Sequence, residues 1–407
     1  MWKKTTAIIG GGPAGAMTGE RLAHATARVV VFEEKLGWEK PCGGGLSHKA
    51  LRHYPFLSEA PGQGNLIREA EFIAPNGASV RFELRSPLVI YSRYTLNKLL
   101  LSRAEEAGAE VIHDRILHFR QAGSGWELQG RRGTYRADYL VLAAGARTRL
   151  RRLLAEDFGP HDFMLTFGYY VPGQDELLRI QFFEDFEGYA WAFSRTDHLS
   201  VGICGKVGED HMSGLRERLH GFMRAFGYPT GGATVFSHLL PSLMVDSWSN
   251  LRLAGRNWAL VGDAAGLVDP ITGEGIYYAM RSGEILAASL LEGSPALYPD
   301  RVQQEFGRAM ARGARLARLF YRGDVLGEAN TTRLIQFAAR TRTFLDLLQD
   351  LLEGSQPYAS LGARLYRDLA TALAELATRS LLQALRQPRT VKARHALLPD
   401  WTNSHAH

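Results

Sequence analysis

Short apolar runs, separated by glycine-rich turns and amphipathic stretches, dominate the first third of the chain. Residues 5–9 and Val29–Phe32 are β-prone runs, and between them a helical pattern follows a group of glycines and continues to Ala23. Residues 138–144 form another continuous apolar run, which is typical of a strand buried on both faces. The alternation of strand, helix and strand predicts a parallel sheet flanked by helices.

Two other segments alternate apolar and polar residues with a period of two, which predicts antiparallel sheet. One covers 165–207, and the other covers 61–87, where Pro75-Asn76-Gly77 predicts a hairpin turn between two strands. The last part of the chain predicts helices, with leucines at helical spacing at Leu365, Leu369, Leu373 and Leu376. After Arg386 the chain is polar and carries prolines, so we expect a loosely ordered tail.

The first glycine-rich turn has the spacing of a dinucleotide-binding site. Gly10 permits a tight turn, Gly12 lets the backbone approach a pyrophosphate, and Gly15 lets helix and strand pack closely. The helix N-terminus adds free N–H groups and the positive end of a dipole. A carboxylate at the end of the second strand can accept ribose hydroxyls. The predicted binding residues are Gly10, Gly12, Pro13, Ala14, Gly15, Glu33 and Glu34.

A second glycine-rich turn lies some 250 residues later and favours FAD over NAD. Asp263 follows a short apolar strand, where its carboxylate can bind a ribityl hydroxyl. The helix that starts near Ile276, after Gly273 and Gly275, would direct a positive dipole end at the flavin ring. Arg93 opens an amphipathic helix that stops at Gly108, and we expect it to hydrogen-bond the cofactor unless it is a surface arginine.

Composition excludes several classes of protein. Of the 407 residues 45% are hydrophobic and 22% are charged, and no apolar run reaches the roughly 18 to 20 residues that span a bilayer. The apolar stretch at the N-terminus is too short for a signal peptide, so we expect mature, cytoplasmic protein. The two cysteines, Cys42 and Cys204, allow neither a disulfide framework nor a metal or iron–sulfur site of known spacing.

The net charge of +6 is concentrated near the C-terminus. Residues 301–394 hold 16 Lys and Arg against 8 Asp and Glu. This excess is consistent with peripheral contact with an anionic membrane, and equally with a solvated helical face. No nucleic-acid motif accompanies it, so nucleic acid is not an expected partner.

Taken together, these motifs resemble the para-hydroxybenzoate-hydroxylase-fold flavoproteins over roughly residues 5–290. Lys40-Pro-Cys42-Gly-Gly-Gly45 and Tyr189-Ala-Trp191-Ala-Phe193 are similar to the geranylgeranyl reductase branch. Two positions depart from the pattern. Ala144 replaces an aspartate that the resemblance links to both flavin and nicotinamide binding, which predicts poor direct reduction by NAD(P)H while FAD binding is still expected. Ser194 replaces a proline at the end of the aromatic motif.

The two branch motifs carry the candidate chemistry. The resemblance implies that Cys42, with Gly43 and Gly44, lies beside the flavin, where the thiol could donate a proton or act as a thiolate; the alternative is a packing residue in a turn. Tyr189, Trp191 and Phe193 alternate with a period of two, so their rings share one face of a strand. The resemblance implies that they line an apolar substrate cavity; the alternative is ordinary core.

The predicted fold is α/β (α+β overall), with a Rossmann-type FAD-binding domain, an antiparallel-sheet substrate domain and C-terminal helices. We expect the FAD-binding domain in 1–60, 88–155 and 252–330, the substrate domain in 61–87 and 156–251, and the helical region in 331–407. The function expected is hydride transfer from reduced FAD to a carbon–carbon double bond of an isoprenoid or other apolar lipid. The alternatives are a flavin monooxygenase or halogenase of the same fold, and a non-enzymatic flavin electron carrier.

Overall fold

The computed structural model describes residues 2–59, 63–208, 212–325 and 327–386. The polar tail expected after Arg386 lies outside these residues. The strands are β1 (Thr6–Ile9), β2 (Val29–Phe32), β3 (Gly45–Leu46), β4 (Gly64–Ile73), β5 (Ser79–Tyr91), β6 (Glu110–Ile112), β7 (Ile116–Ala122), β8 (Gly125–Gly130), β9 (Thr134–Ala137), β10 (Tyr139–Leu142), β11 (Phe163–Pro172), β12 (Leu177–Phe182), β13 (Gly188–Ser194), β14 (His198–Lys206), β15 (Thr234–Pro241), β16 (Ala254–Gly255), β17 (Trp258–Leu260), β18 (Asp324–Val325) and β19 (Glu328–Ala329).

The helices are α1 (Pro13–His24), α2 (His48–His53), α3 (Phe56–Glu59), α4 (Arg93–Glu106), α5 (Met212–Ala225), α6 (Val245–Ser249), α7 (Ile276–Leu291), α8 (Tyr298–Val302), α9 (Arg308–Arg322), α10 (Asn330–Arg340), α11 (Arg342–Glu353) and α12 (Tyr358–Arg386). Helices α1, α4 and α7 begin close to the residues predicted for them, whereas the sequence pattern did not predict α5.

A six-stranded sheet with the order β16-β17-β10-β1-β2-β6 carries the two glycine-rich turns. Its strands pair in parallel except for β16 with β17. The side chains of β10 are buried without exception, as expected of a parallel sheet covered on both faces. Because β1, β10 and β17 are neighbours, the turns that follow β1 and β17 lie at one edge of the sheet.

An eight-stranded sheet with the order β15-β11-β14-β13-β12-β4-β5-β3 forms the second layer. It is antiparallel except for β4 with β12, which pair in parallel. The hairpin between β4 and β5 turns at Asn76 and Gly77, as predicted. Helices α9 to α12 contribute to one core with β4, β5 and β12, so C-terminal helices cover this part of the sheet. The predicted α/β class is confirmed.

Three of the leucines at helical spacing on α12 face away from the core, unlike those of an ordinary amphipathic helix. Leu365, Leu369 and Leu373 are exposed, whereas Leu361 and Ala372 are buried. The sequence pattern also gave no sign of the separate three-stranded sheet β7-β8-β9.

Candidate active site

The N-terminus of α1 lies against the glycine-rich turn that ends β1. The helix begins at Pro13, with Gly12 as its N-cap. A Cβ atom at position 15 would lie 1.9 Å from the carbonyl oxygen of Gly10, so only Gly15 lets the helix start this close to the turn. A Cβ atom on Gly12 would meet nothing within 4 Å. The free N–H groups of α1 therefore lie beside open space that suits a pyrophosphate.

The two glutamates at the end of β2 have different surroundings. Glu33 Oε2 accepts a hydrogen bond from the Gly11 N–H at 2.7 Å, which places this carboxylate beside the glycine turn. Glu34 instead forms ion pairs with Arg115 and Arg131, at 3.3 and 2.8 Å. Glu33 therefore lies at the predicted nucleotide site, whereas the side chain of Glu34 pairs with two arginines.

Asp263 lies beside the N-terminus of α7 and is paired with a lysine. Its Oδ2 is 2.8 Å from Lys40 Nζ. A Cβ atom on Gly275, the N-cap of α7, would lie 3.4 Å from Asp263 Oδ1. Burial acts to raise the pKa of Asp263, but the cations of Lys40 and Arg93 hold it below its usual range. The carboxylate is therefore ionised next to the positive end of a helix dipole.

The turn before α7 also reaches the aromatic strand. Gly273 has a φ of +70° and would place a Cβ atom 3.1 Å from Tyr189 Oη. Tyr189 Oη donates a hydrogen bond to the Thr272 carbonyl at 2.6 Å. The predicted cofactor residues Gly273, Gly275 and Ile276 and the predicted substrate residue Tyr189 thus meet at one place.

Two buried nitrogen atoms near Asp263 have no hydrogen-bond partner among the described residues. They are Arg93 Nε and His238 Nε2. Arg93 is 4% exposed, so it is not a surface arginine. Burial, together with the Lys40 cation, lowers the pKa of His238, so its ring is neutral. Buried polar atoms without partners are costly, and the Arg93 N–H can only donate, so these two atoms fit a polar ligand with acceptor groups, as FAD is.

Cys42 lies in a loop between β2 and β3. Its Sγ accepts a hydrogen bond from the Gly44 N–H at 3.3 Å. A Cβ atom on Gly43 would lie 2.7 Å from Phe193 Cδ2, so the loop packs directly on the aromatic strand. Lys40, two residues before Cys42, pairs with Asp263. The cation bonded to this loop is Arg195, which donates to the Cys42 carbonyl at 2.6 Å.

An apolar cavity of about 440 Å³ starts at the Cys42 loop. Tyr189, Trp191 and Phe193 all line it. Its other walls include aliphatic and aromatic residues from β5, β12, α9, α11 and α12, among them Leu88, Ile180, Phe320, Leu348, Leu352 and Leu361. The predicted thiol and the three predicted rings are therefore brought together in one cavity, whose volume falls in the range of small-molecule sites.

A row of polar side chains that the sequence pattern did not predict crosses this cavity. Tyr189, Cys204, Thr166 and His238 are direct register partners on the adjacent strands β13, β14, β11 and β15. All four line the cavity. Burial raises the pKa of Tyr189, and it raises the pKa of Cys204 to about 12, so both are neutral. The period-two pattern places each residue on a face, but only strand order makes them neighbours.

Comparisons with known proteins agree with this description. A model of the pyridine nucleotide-disulphide oxidoreductase family matches residues 4–164. The chain is 27% identical over 72% of its length to a chloroplastic geranylgeranyl diphosphate reductase of Arabidopsis thaliana, and spans about two thirds (66%) of that relative. It is 28% identical to a digeranylgeranylglycerophospholipid reductase of Methanopyrus kandleri, over 77% of this chain and 85% of the relative.

The fold is similar to that of a geranylgeranyl bacteriochlorophyll reductase-like protein from Thermoplasma acidophilum. The TM-score is 0.75 at 20% identity, over 90% of this chain and 99% of that one. Together these findings confirm the resemblance to geranylgeranyl reductases. They also confirm that the protein is an FAD-dependent oxidoreductase.

Proposed function

We propose that this FAD-dependent oxidoreductase, which resembles geranylgeranyl reductases along most of its length, saturates carbon–carbon double bonds of a prenyl lipid. The observation that carries the proposal is the apolar cavity that begins at the Cys42 loop and is walled by Tyr189, Trp191 and Phe193. The reductases from Arabidopsis and Methanopyrus are named for prenyl substrates, which supports the same class here.

The residues of the site have separate roles in this proposal. The glycine turn with Glu33, Arg93 and Asp263 binds FAD, which when bound and reduced supplies a hydride. The apolar wall orients the alkene and excludes water. Cys42 donates the proton that the second alkene carbon requires, and its thiolate is reprotonated from solvent.

The direct test is mass spectrometry of prenol and lipid mixtures incubated with dithionite-reduced enzyme. The proposal predicts products heavier by two hydrogens for each double bond reduced. Products heavier by one oxygen in the presence of O₂ would show a monooxygenase instead. Reversible flavin reduction without any product would show an electron carrier.

The electron donor in this proposal is a small redox protein or another reductant rather than NAD(P)H. Ala144 occupies the position where the resemblance predicts aspartate, and its side chain is exposed at the end of the strand that leads into the site.

We further propose that the protein is cytoplasmic and that α12 makes peripheral contact with an anionic membrane surface. At 100° per residue, Leu365, Tyr366, Leu369 and Leu373 share an uncharged half of this helix, and Tyr366 is 84% exposed. Helix α12 begins at Tyr358, and its first turn lines the cavity with Tyr358 and Leu361. The exposed leucines follow on the same helix.

Charge supports this partner. Four arginines of the neighbouring helix α9 are exposed at helical spacing: Arg308, Arg312, Arg315 and Arg318. Exposed basic residues attract anionic lipid headgroups. Among the described residues, no helix has the length and apolar character that crossing a membrane requires.

A further inference from the structure

Arg195, which directly follows β13, is a fully buried arginine with two partners in the Cys42 loop. Its side chain has an exposure of 0%. Nη1 donates to Glu39 Oε1 at 2.6 Å, and Nη2 donates to the Cys42 carbonyl oxygen at 2.6 Å. The guanidinium also lies over the ring of Tyr170, 4.9 Å from its centroid. The Arg195 side chain therefore joins the sheet that walls the cavity to both ends of the segment from Glu39 to Cys42.

Glu39 extends this connection to the predicted cofactor arginine. Its carboxylate accepts hydrogen bonds from the backbone N–H of Arg93 at 2.8 Å and from the Ser92 hydroxyl at 2.7 Å. It also accepts from the backbone N–H of Tyr94 at 3.2 Å. A carboxylate at this end of α4 satisfies free N–H groups and complements the helix dipole. Glu39 thus fixes the first turn of the helix that carries Arg93.

Two more side chains of the sheet hold the same loop by its carbonyl groups. The Ser200 hydroxyl donates to the Cys42 carbonyl at 3.0 Å, and the Tyr170 hydroxyl donates to the Lys40 carbonyl at 3.3 Å. Neither reaches Glu39. Among these contacts, Arg195 alone bonds both the loop carbonyl of Cys42 and the carboxylate that caps α4.

We infer that Arg195 is a positioning residue that sets Cys42 and Arg93 in one fixed arrangement, by bonding the Cys42 carbonyl and Glu39 simultaneously. The inference rests on the roles proposed above for Cys42 and Arg93. Arginine suits this position because its planar fork offers two N–H groups to two acceptors, whereas a lysine ammonium is a point charge on a flexible stem.

The test uses the two cysteines of the FAD-loaded enzyme as internal probes. N-ethylmaleimide labelling is followed for each cysteine by peptide mass spectrometry. In Arg195→Met the loop loses two charge-assisted hydrogen bonds, so Cys42 should label about ten- to a hundredfold faster. Cys204 should stay protected, since it is buried and its pKa is raised to about 12. General unfolding would expose both cysteines, so the difference between them is specific to positioning.

Arg179→Met is the matched control. Arg179 lies on β12 of the same sheet, has a side-chain exposure of 15% and pairs with Glu71 at 2.9 Å, away from the Cys42 loop. It should leave Cys42 labelling within about twofold of wild type. Equal Cys42 rates in wild type and Arg195→Met would overturn the inference.

Two milder variants keep the test available if Arg195→Met does not fold. Arg195→Lys keeps the charge and should give intermediate labelling and partial recovery of turnover. Ser200→Ala removes one donor to the Cys42 carbonyl but keeps the bond between Arg195 and Glu39, so it should raise labelling less than Arg195→Lys; wild-type labelling in Arg195→Lys would also overturn the inference. Labelling does not depend on turnover. Failure of the enzyme to reduce any prenyl lipid would therefore refute the proposed function without altering the labelling result.

Discussion

Lys40 Nζ lies 2.8 Å from Asp263 Oδ2, although 223 positions separate the two residues along the chain. The pair joins the loop that carries Cys42 to the second glycine-rich turn. Side-chain exposures of 18% and 14% mean that both charges are largely shielded from water. Such a pair makes either partner costly to remove.

FAD affinity should depend on Asp263 and Glu33. Replacing a partly buried, hydrogen-bonded carboxylate costs about 1–3 kcal/mol, so Asp263→Asn or Glu33→Gln should weaken FAD binding by about five- to 150-fold. Fluorescence titration of FAD into the apoprotein measures the affinity. Glu34→Gln is the control, because the Glu34 carboxylate is bonded to Arg115 and Arg131. Unchanged affinity in Asp263→Asn and Glu33→Gln would remove both residues from the cofactor site.

Local sequence signals predicted the parts of the fold that depend on neighbours in the chain. The glycine turn before α1, the hairpin at Asn76 and Gly77 and the start of α7 all follow from short-range backbone preferences. The period of two likewise placed Tyr189, Trp191 and Phe193 on one face.

The missed features depend on contacts between distant positions. Arg195 reaches Cys42 across 153 positions, and Lys40 pairs with Asp263 across 223 positions. The row from Tyr189 to His238 requires the order of four strands. The outward orientation of Leu369 depends on which surfaces pack against α12, which helical spacing does not specify.

Cys42→Ser should keep the flavin and lose turnover. Serine is nearly isosteric but a far weaker acid, so the rate of alkene reduction should fall by about 10²- to 10⁴-fold, the span for removing a general acid. The visible spectrum reports bound FAD, and product formation reports turnover. Cys204→Ser serves as the comparison, and should have a much smaller effect. Wild-type turnover in Cys42→Ser would make Cys42 a packing residue, with water or Tyr189 as the proton source.

NADPH should reduce the bound flavin slowly compared with dithionite or a small electron-transfer protein. The reason is Ala144 in place of the aspartate that the resemblance links to nicotinamide use. Ala144→Asp should raise the rate with NADPH and leave the rate with dithionite unchanged. Stopped-flow absorbance measures both rates. Reduction of the wild type by NADPH at about ten per second or faster, a normal catalytic rate, would refute this prediction.

Vesicle binding should require the exposed leucines of α12. Leu369→Glu with Leu373→Glu places charges on the uncharged face and should weaken binding to anionic vesicles at least about tenfold. Leu117→Glu is the matched control, because Leu117 is 50% exposed on the separate three-stranded sheet. Co-sedimentation with anionic and zwitterionic vesicles gives the affinities. If the wild type does not bind vesicles but forms a dimer that the double variant abolishes, the uncharged face of α12 binds a second copy of this chain instead.

Alkene reduction by the flavin is tested most directly by a single turnover without oxygen. Dithionite-reduced enzyme, freed of excess reductant, is mixed with a polyprenyl lipid, and the return of oxidised-flavin absorbance is followed beside product mass. If reduced flavin transfers its hydride to the alkene, flavin is reoxidised in step with products, with one double bond saturated for each flavin. Flavin that stays reduced until oxygen is admitted, and then yields an oxygenated product, would contradict it.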